Sequence, residues 1–252
     1  MINKGEMALL LTLKKCILFF LFVVAVFYPV SLNADILAEW LIPLREAVYE
    51  QQLNASEIEP LYLTAKSTST AHLSGTALDL ALSRCEYFMG RVLHFENRFD
   101  EAAARYAEGI RLAEKTLETA PSAEAWVLMA ENLSQSCVVR STAFTMANGL
   151  NVERYARNAL GYDSRNAAAQ HLIAARWVYA PAPLHNFRRG IEMMEAIITG
   201  GDMQKDDRFN VYVAIGYAYV QQRRYTEARP WLLRALEVYP TNKYVSELLS
   251  KR

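Results

Sequence analysis

Residues 209–240 read FNVYVAIGYAYVQQRRYTEARPWLLRALEVYP, and this stretch decides the fold class. Tyr212, Ile215 and Tyr219 recur at i, i+3 and i+7, the spacing of one face of an α-helix. Gln221, Gln222, Arg223 and Arg224 then form a polar break, after which Leu232 and Ala235 supply the facing stripe of a second helix. Gly216 and Ala228 are small where two antiparallel helices would cross, so the backbones can approach closely. Pro230 falls near the start of the second helix, where backbone N–H groups lack partners in any case. Pro240 stops that helix because it cannot continue the hydrogen-bond ladder.

With Phe209 as position one, Tyr212, Ile215, Gly216, Tyr219, Ala228, Leu232, Ala235 and Pro240 take positions 4, 7, 8, 11, 20, 24, 27 and 32. In this the stretch resembles the tetratricopeptide repeat (TPR), with aromatic-for-aromatic and apolar-for-apolar exchange at two positions. The same phase recurs upstream. Gly90 and Ala102 are spaced like Gly216 and Ala228, and Met89, Leu93, Tyr106 and Gly109 take positions 7, 11, 24 and 27. Phe99-Asp100-Glu101-Ala102 parallels Tyr225-Thr226-Glu227-Ala228, and the second helix is expected to run to about Thr119, before Pro121.

Two less regular units lie between. In one, Trp126, Met129, Ala130 and Leu133 mark a first helix and Tyr155, Ala156 and Ala159 a second, with a turn expected at Asn148-Gly149. The other pairs residues 167–179 with 187–198 across the proline-containing segment 180–186. Ahead of the array, 36–52 and 56–66 read as a helical pair, Ser56 and Glu59 having capping-box spacing. A Ser/Thr-rich connector is expected over 67–75, and a short closing helix over 243–249, capped by Thr241 or Asn242. No β-branched run is bounded by hairpin turns, so the fold class is all-α. The TPR resemblance implies a right-handed α-solenoid of antiparallel helix pairs, about five pairs plus a C-terminal capping helix.

The expected domains are a signal peptide at 1–34, the helical pair and connector at 35–74, and the repeat array at 75–252. Lys14-Lys15 precede the apolar run 16–30, and Ser31-Leu32-Asn33-Ala34 offers a cleavage region. An apolar run of that length fits a signal core better than a membrane span, which needs about 20 residues. Cys16 stands before the run rather than after it, which speaks against lipidation. Export to a bacterial periplasm is the reading, an uncleaved N-terminal anchor the alternative, and Met7 an alternative start. Removing 1–34 leaves 24 basic and 26 acidic residues, so no nucleic-acid partner is expected.

Cys85 and Cys137 then remain. The repeat phase sets them twelve positions apart on roughly parallel helices, or about 18 Å at about 1.5 Å per residue. A disulfide needs Cα atoms within about 7 Å. Two buried, free thiols are therefore expected.

Nucleotide-binding, zincin and serine-hydrolase motifs are absent, and His72, His94, His171 and His185 are scattered. No metal, cofactor or catalytic residue is assigned. Asp202, Asp206 and Asp207 lack the fixed spacing of a calcium loop and read as a solvated acidic segment.

In TPR arrays, positions 2, 5, 9 and 12 of each first helix line a concave groove. Carried onto this chain, they place Arg84, Tyr87, Arg91 and His94 at one end, Glu124 and Glu131 next, then His171, then Asn210 and Tyr217, interspersed with Val127, Val178, Val213 and Val220. The family implies a protein or peptide partner, and Tyr and Arg are suitable anchors. The bland alternative pairs Arg91 with Glu124 or Glu131. Tyr87 stands where carboxylate-clamping TPRs carry a first-unit lysine, so that ligand is not implied.

An exported helical-repeat chain with a proline loop also looks like the periplasmic TPR components associated with TRAP-type transporters. That resemblance implies an apolar ligand cavity, here near Trp177, Tyr179 and Phe187. The leading expectation is a non-catalytic adaptor for protein segments. The alternatives are a transporter-associated component and a repeat-scaffolded enzyme.

Overall fold

The computed structural model describes residues 38–200 and 203–251, so the segment 1–34 read as a signal peptide lies outside the described residues. Among those described there are α-helices and no strands, arranged as five antiparallel pairs and a closing helix, an α-solenoid. A short 3₁₀ turn, Glu39–Leu41, leads into α1 (Ile42–Glu50), which pairs with α2 (Ala55–His72). The later pairs are α3 (Gly75–Phe95) with α4 (Phe99–Thr119), and α5 (Ala123–Val139) with α6 (Thr142–Tyr162). Then come α7 (Ala167–Tyr179) with α8 (Phe187–Gly200), α9 (Lys205–Gln221) with α10 (Tyr225–Val238), and the single α11 (Lys243–Ser250). No described helix is long and apolar enough to cross a membrane.

The repeat phase read from sequence appears as geometry. A Cβ added to Gly216 would lie 2.5 Å from Leu232 Cδ2, and one added to Gly90 would lie 2.4 Å from Tyr106 Cε1. In both pairs the position-8 glycine receives the position-24 side chain, which only a hydrogen in place of Cβ allows. The turns match as well. Asn97 and Arg223 both sit in the left-handed region, at φ 60° and 59°. The N–H groups of Arg98 and Arg224 then donate to the Leu93 and Tyr219 carbonyls, each at 2.9 Å. Asparagine tolerates that conformation better than arginine does.

Three expectations about the helices are corrected. Residues 67–72 are not a connector but the last turns of α2. Their hydroxyls are satisfied inside the helix, Thr70 Oγ1 donating to the Lys66 carbonyl at 2.9 Å and Ser67 Oγ to the Thr64 carbonyl at 3.0 Å. Ser69 is buried and accepts from Trp40 Nε1 at 2.8 Å. The cap of α2 is Asn54 with Glu57, not Ser56 with Glu59. The turn expected at Asn148-Gly149 lies inside α6. The chain reverses earlier, at Arg140 and Ser141, where Ser141 Oγ caps Phe144 N–H at 3.3 Å. Thr145 Oγ1 reaches across to the Cys137 carbonyl at 2.7 Å. The extra residues of this unit thus lengthen the N-terminal end of its second helix.

The α2–α3–α4 junction holds a buried carboxylate. Glu86 accepts from Tyr62 Oη and Lys66 Nζ, both at 2.7 Å, with Arg105 Nη1 at 3.4 Å. Because Lys66, Arg105 and Tyr62 share the carboxylate and both cations reach solvent, loss of one leaves the others to satisfy it. Both cysteines are free: Cys85 is buried, but Cys137 is only half-buried, contrary to expectation.

Candidate functional site

The nine expected groove residues lie on the first helices of four successive pairs, α3, α5, α7 and α9. There a feature not visible in the sequence dominates: the N-terminal helix α1 folds back onto the last pair. Tyr49 stacks on Tyr239 (centroids 4.7 Å apart, 13° between planes) and meets Phe209 edge-on at 5.4 Å. Asn210 Nδ2 lies 3.4 Å from Tyr49 Oη, and Asn242 Nδ2 donates to the Tyr49 carbonyl at 2.6 Å. Lys205 pairs with Glu46, and Arg45 Nε lies 3.5 Å from Asp206. Residues more than 150 apart in sequence are thereby joined, and the ends of the array close on each other. A cleft of about 460 Å³ remains at this seam between Gln52, Phe95 and Tyr244.

Arg84 pairs with Glu131, so the Arg91–Glu131 pair weighed from the sequence is not formed. Tyr87 is buried at 4 % exposure and serves the core more than the groove. Val127, Val178, Val213 and Val220 are buried too, which removes them from any open lining. Among the described residues Arg91 forms no ion pair, although Glu131 and Asp206 both feel its charge. Its Nη1 lies 3.3 Å from Tyr87 Oη, and its guanidinium stands over the Tyr49 ring at 4.4 Å and the Phe95 ring at 5.7 Å. His94 lies between the Phe95 and Phe99 rings, with centroids at 5.9 Å from each.

Three tyrosines converge further along. Tyr217 lies 5.0 Å from Tyr179, and Tyr179 in turn feels Tyr244 of α11. Tyr179 leaves 45 % of its surface open and Tyr244 37 %, yet burial lifts both phenols above their ordinary range. Glu124 behaves alike: it is exposed, yet desolvation, with Arg84 opposing, raises its carboxyl pKa. Burial raises Glu131 and Asp206 against the pull of Arg84 and Arg45 respectively. Burial, and secondarily the charge of Arg91, depress His171 to about 4, and its Nε2 is buried with no hydrogen-bond partner. The imidazole is therefore neutral at physiological pH.

Among the described residues, no three His, Cys, Asp or Glu side chains come together as metal ligands. Asp202 lies outside the described residues. Asp206 accepts from Tyr239 Oη at 2.8 Å, and Asp207 accepts from Gln204 N–H at 3.1 Å. Both are structural, not a solvated acidic loop. Trp177 is capped by Arg189 at 4.1 Å, next to the proline loop.

Residues 209–242 match the tetratricopeptide repeat family model, so the chain carries a TPR where the sequence pattern placed it. Among solved structures it is similar to the crystal structure of YrrB, a TPR protein with an unusual peptide-binding site. That match has 10 % identity and a TM-score of 0.36 over 82 % of this chain and 89 % of that one. No curated protein matches this chain.

Proposed function

From a TPR-containing α-solenoid, we propose an exported, non-catalytic adaptor that binds a protein segment along its inner side. The observation that carries this reading is the cluster of Tyr179, Tyr217 and Tyr244. It presents three large, rigid and amphipathic side chains from α7, α9 and α11 at one place, partly open to water. Such tyrosines anchor partners at little conformational cost. Export rests on the pattern of residues 1–34 and is tested by N-terminal sequencing of the protein recovered from the cell envelope. The binding reading is tested by pull-down from solubilised envelope with wild type and a Tyr179→Ala/Tyr217→Ala/Tyr244→Ala variant. A partner retained by wild type and lost by the equally helical variant supports it. Identical partner sets from both would overturn it.

A second reading is favoured by one observation, the closure of the array by α1. With Tyr49 laid over Arg91, the inner side resembles an enclosed recess more than a groove open along its length. Such a recess suits a small ligand, as in a transporter-associated component. Binding of small molecules by the purified protein, absent partners, is its test.

A further inference from the structure

The cleft of about 460 Å³ at the seam is lined from three stretches far apart in sequence, within 47–58, 92–96 and 243–247. Val48, Ile58 and Val92 form its buried floor, while Leu53 and Phe95 stand in its wall at 40 % and 43 % exposure. Gln51 Oε1 accepts from the Tyr244 N–H and Gln52 Nε2 donates to the Thr241 carbonyl, each at 3.1 Å, which ties α11 to the turn after α1. The other half of each amide, Gln51 Nε2 and Gln52 Oε1, makes no hydrogen bond among the described residues. Nor does Asn54 Nδ2, whose Oδ1 caps α2. Charge at the cleft is one-sided: Glu57, Glu96 and Glu247 line it against the single ammonium of Lys243. Glu57 accepts from the Asn54 N–H at 2.9 Å, and Glu96 from the Ala55 N–H at 2.6 Å and from Arg98 at 3.3 Å. Glu247 lies one turn beyond Lys243 on α11, is exposed, and forms no ion pair among the described residues.

We infer that the seam cleft takes a short segment of a partner protein in which a bulky apolar residue is flanked by lysines or arginines. The class of partner rests on the adaptor reading above; the place does not, since the cleft shares only Tyr244 with the tyrosine cluster. An apolar side chain entering between Leu53 and Phe95 covers surface that the fold leaves in water. Flanking cations meet the excess of carboxylate in the lining, Glu247 first, and an acidic segment meets repulsion there. The unused amide groups of Gln51, Gln52 and Asn54 offer two donors and an acceptor to the C=O and N–H of a peptide backbone. A segment seated this way touches both ends of the array at once.

The test is calorimetry on the purified protein at low salt with three blocked tripeptides, Lys-Leu-Lys, Lys-Ser-Lys and Glu-Leu-Glu. Lys-Leu-Lys should bind at least about 10-fold more tightly than either of the others. Phe95→Ala should remove most of the preference for leucine over serine, with Leu53→Ser in its place should that variant fail to fold. Glu247→Gln should weaken Lys-Leu-Lys about threefold without weakening Glu-Leu-Glu. Hydrogen exchange with Lys-Leu-Lys bound should slow at 51–57 and 243–247 together, because both line one cleft. Tyr217→Ala should leave these affinities unchanged; loss of binding there would move the segment to the tyrosine cluster and overturn the cleft assignment. Equal binding of the three tripeptides, or of none at millimolar concentration, overturns it too and leaves the tyrosine cluster to its own pull-down. A dimer that Phe95→Ala dissociates would mean that a second copy of the chain fills the cleft, and overturns it likewise.

Discussion

In the α9–α10 pair, a Cβ on Gly216 would press into Leu232 at 2.5 Å; in α6, a Cβ on Gly149 or Gly161 would meet nothing within 4 Å. The two pairs belong to one array and are packed to different standards. The first interlocks through a small residue facing a large one, with Leu232 at 1 % exposure. In α6, with 21 residues, the buried residues are Ala156 and Ala159, while Met146 is 81 % exposed and Leu150 66 %. Polar satisfaction follows the same division. Of the four buried polar atoms without partners among the described residues, Trp126 Nε1, Asn132 Oδ1 and His171 Nε2 lie on α5 and α7, beside α6. An array of this kind is stabilised repeat by repeat through neighbour contacts, so a poorly interlocked unit weakens it locally.

The contrast can be broken most directly by pH. The pKa of His171 is depressed in the folded state, to about 4, against about 6.5 when unfolded. Below pH 6.5 the unfolded chain binds a proton that the folded chain refuses, so stability is lost as pH falls from about 6.5 to about 4. The loss amounts to about 3 kcal/mol at most. Glu124, Glu131 and Asp206, whose folded pKa values are raised, act in the opposite sense, so the measurement is the difference between wild type and His171→Gln. Parallel denaturation profiles for the two between pH 7 and 4 would show that the middle of the array carries no such penalty.

Close in size is Leu232→Ala, expected to destabilise by about 3 kcal/mol through a void against Gly216. Urea unfolding measures it, and a loss under about 1 kcal/mol would mean the tight repeat can collapse after all. Gly216→Ala and Gly90→Ala should each cost about 2 kcal/mol by overpacking. Gly149→Ala, in open helix, should instead stabilise by about 0.5–1 kcal/mol. Opposite signs for the same substitution are the sharpest form of the comparison, and like signs would dissolve it. Smallest in energy is Met146→Glu with Leu150→Glu, expected within about 0.5 kcal/mol of wild type. A large loss there would reveal that the exposed face of α6 is covered in solution. Thiol chemistry divides the same way: Cys85 on α3 is pushed up to about 12 by burial, so a thiol reagent at pH 8 should modify Cys137 first and Cys85 on unfolding.

The helices were legible wherever side-chain spacing and caps agreed. The pairs 83–119 and 209–240 were read in register because Gly90 with Tyr106 and Gly216 with Leu232 encode the crossing in local spacing. The limits of α7, the end of α4 at Thr119 and the Asn242 cap of α11 were readable for the same reason. The Ser/Thr run at 67–72 misled because those hydroxyls, poor helix formers by propensity, were satisfied within the helix and against Trp40. Asn148-Gly149 misled because its turn-like composition is overridden when Asn148 Nδ2 bonds back to the Phe144 carbonyl at 3.0 Å.

For the site, the sequence put Arg84, Arg91, Glu131, His171 and Tyr217 at repeat positions 2, 5 and 9 of their first helices, because helix geometry fixes which residues of one helix lie on the same side. Only the tertiary structure decided what stands opposite that face. Tyr49, Glu46 and Arg45 meet Tyr239, Lys205 and Asp206 across the whole length of the array, and no local spacing encodes a contact between its two ends. That Arg91 lies against the Tyr49 ring is set by that closure and not by its position in the repeat, because a side chain's surroundings are whatever the fold brings near it.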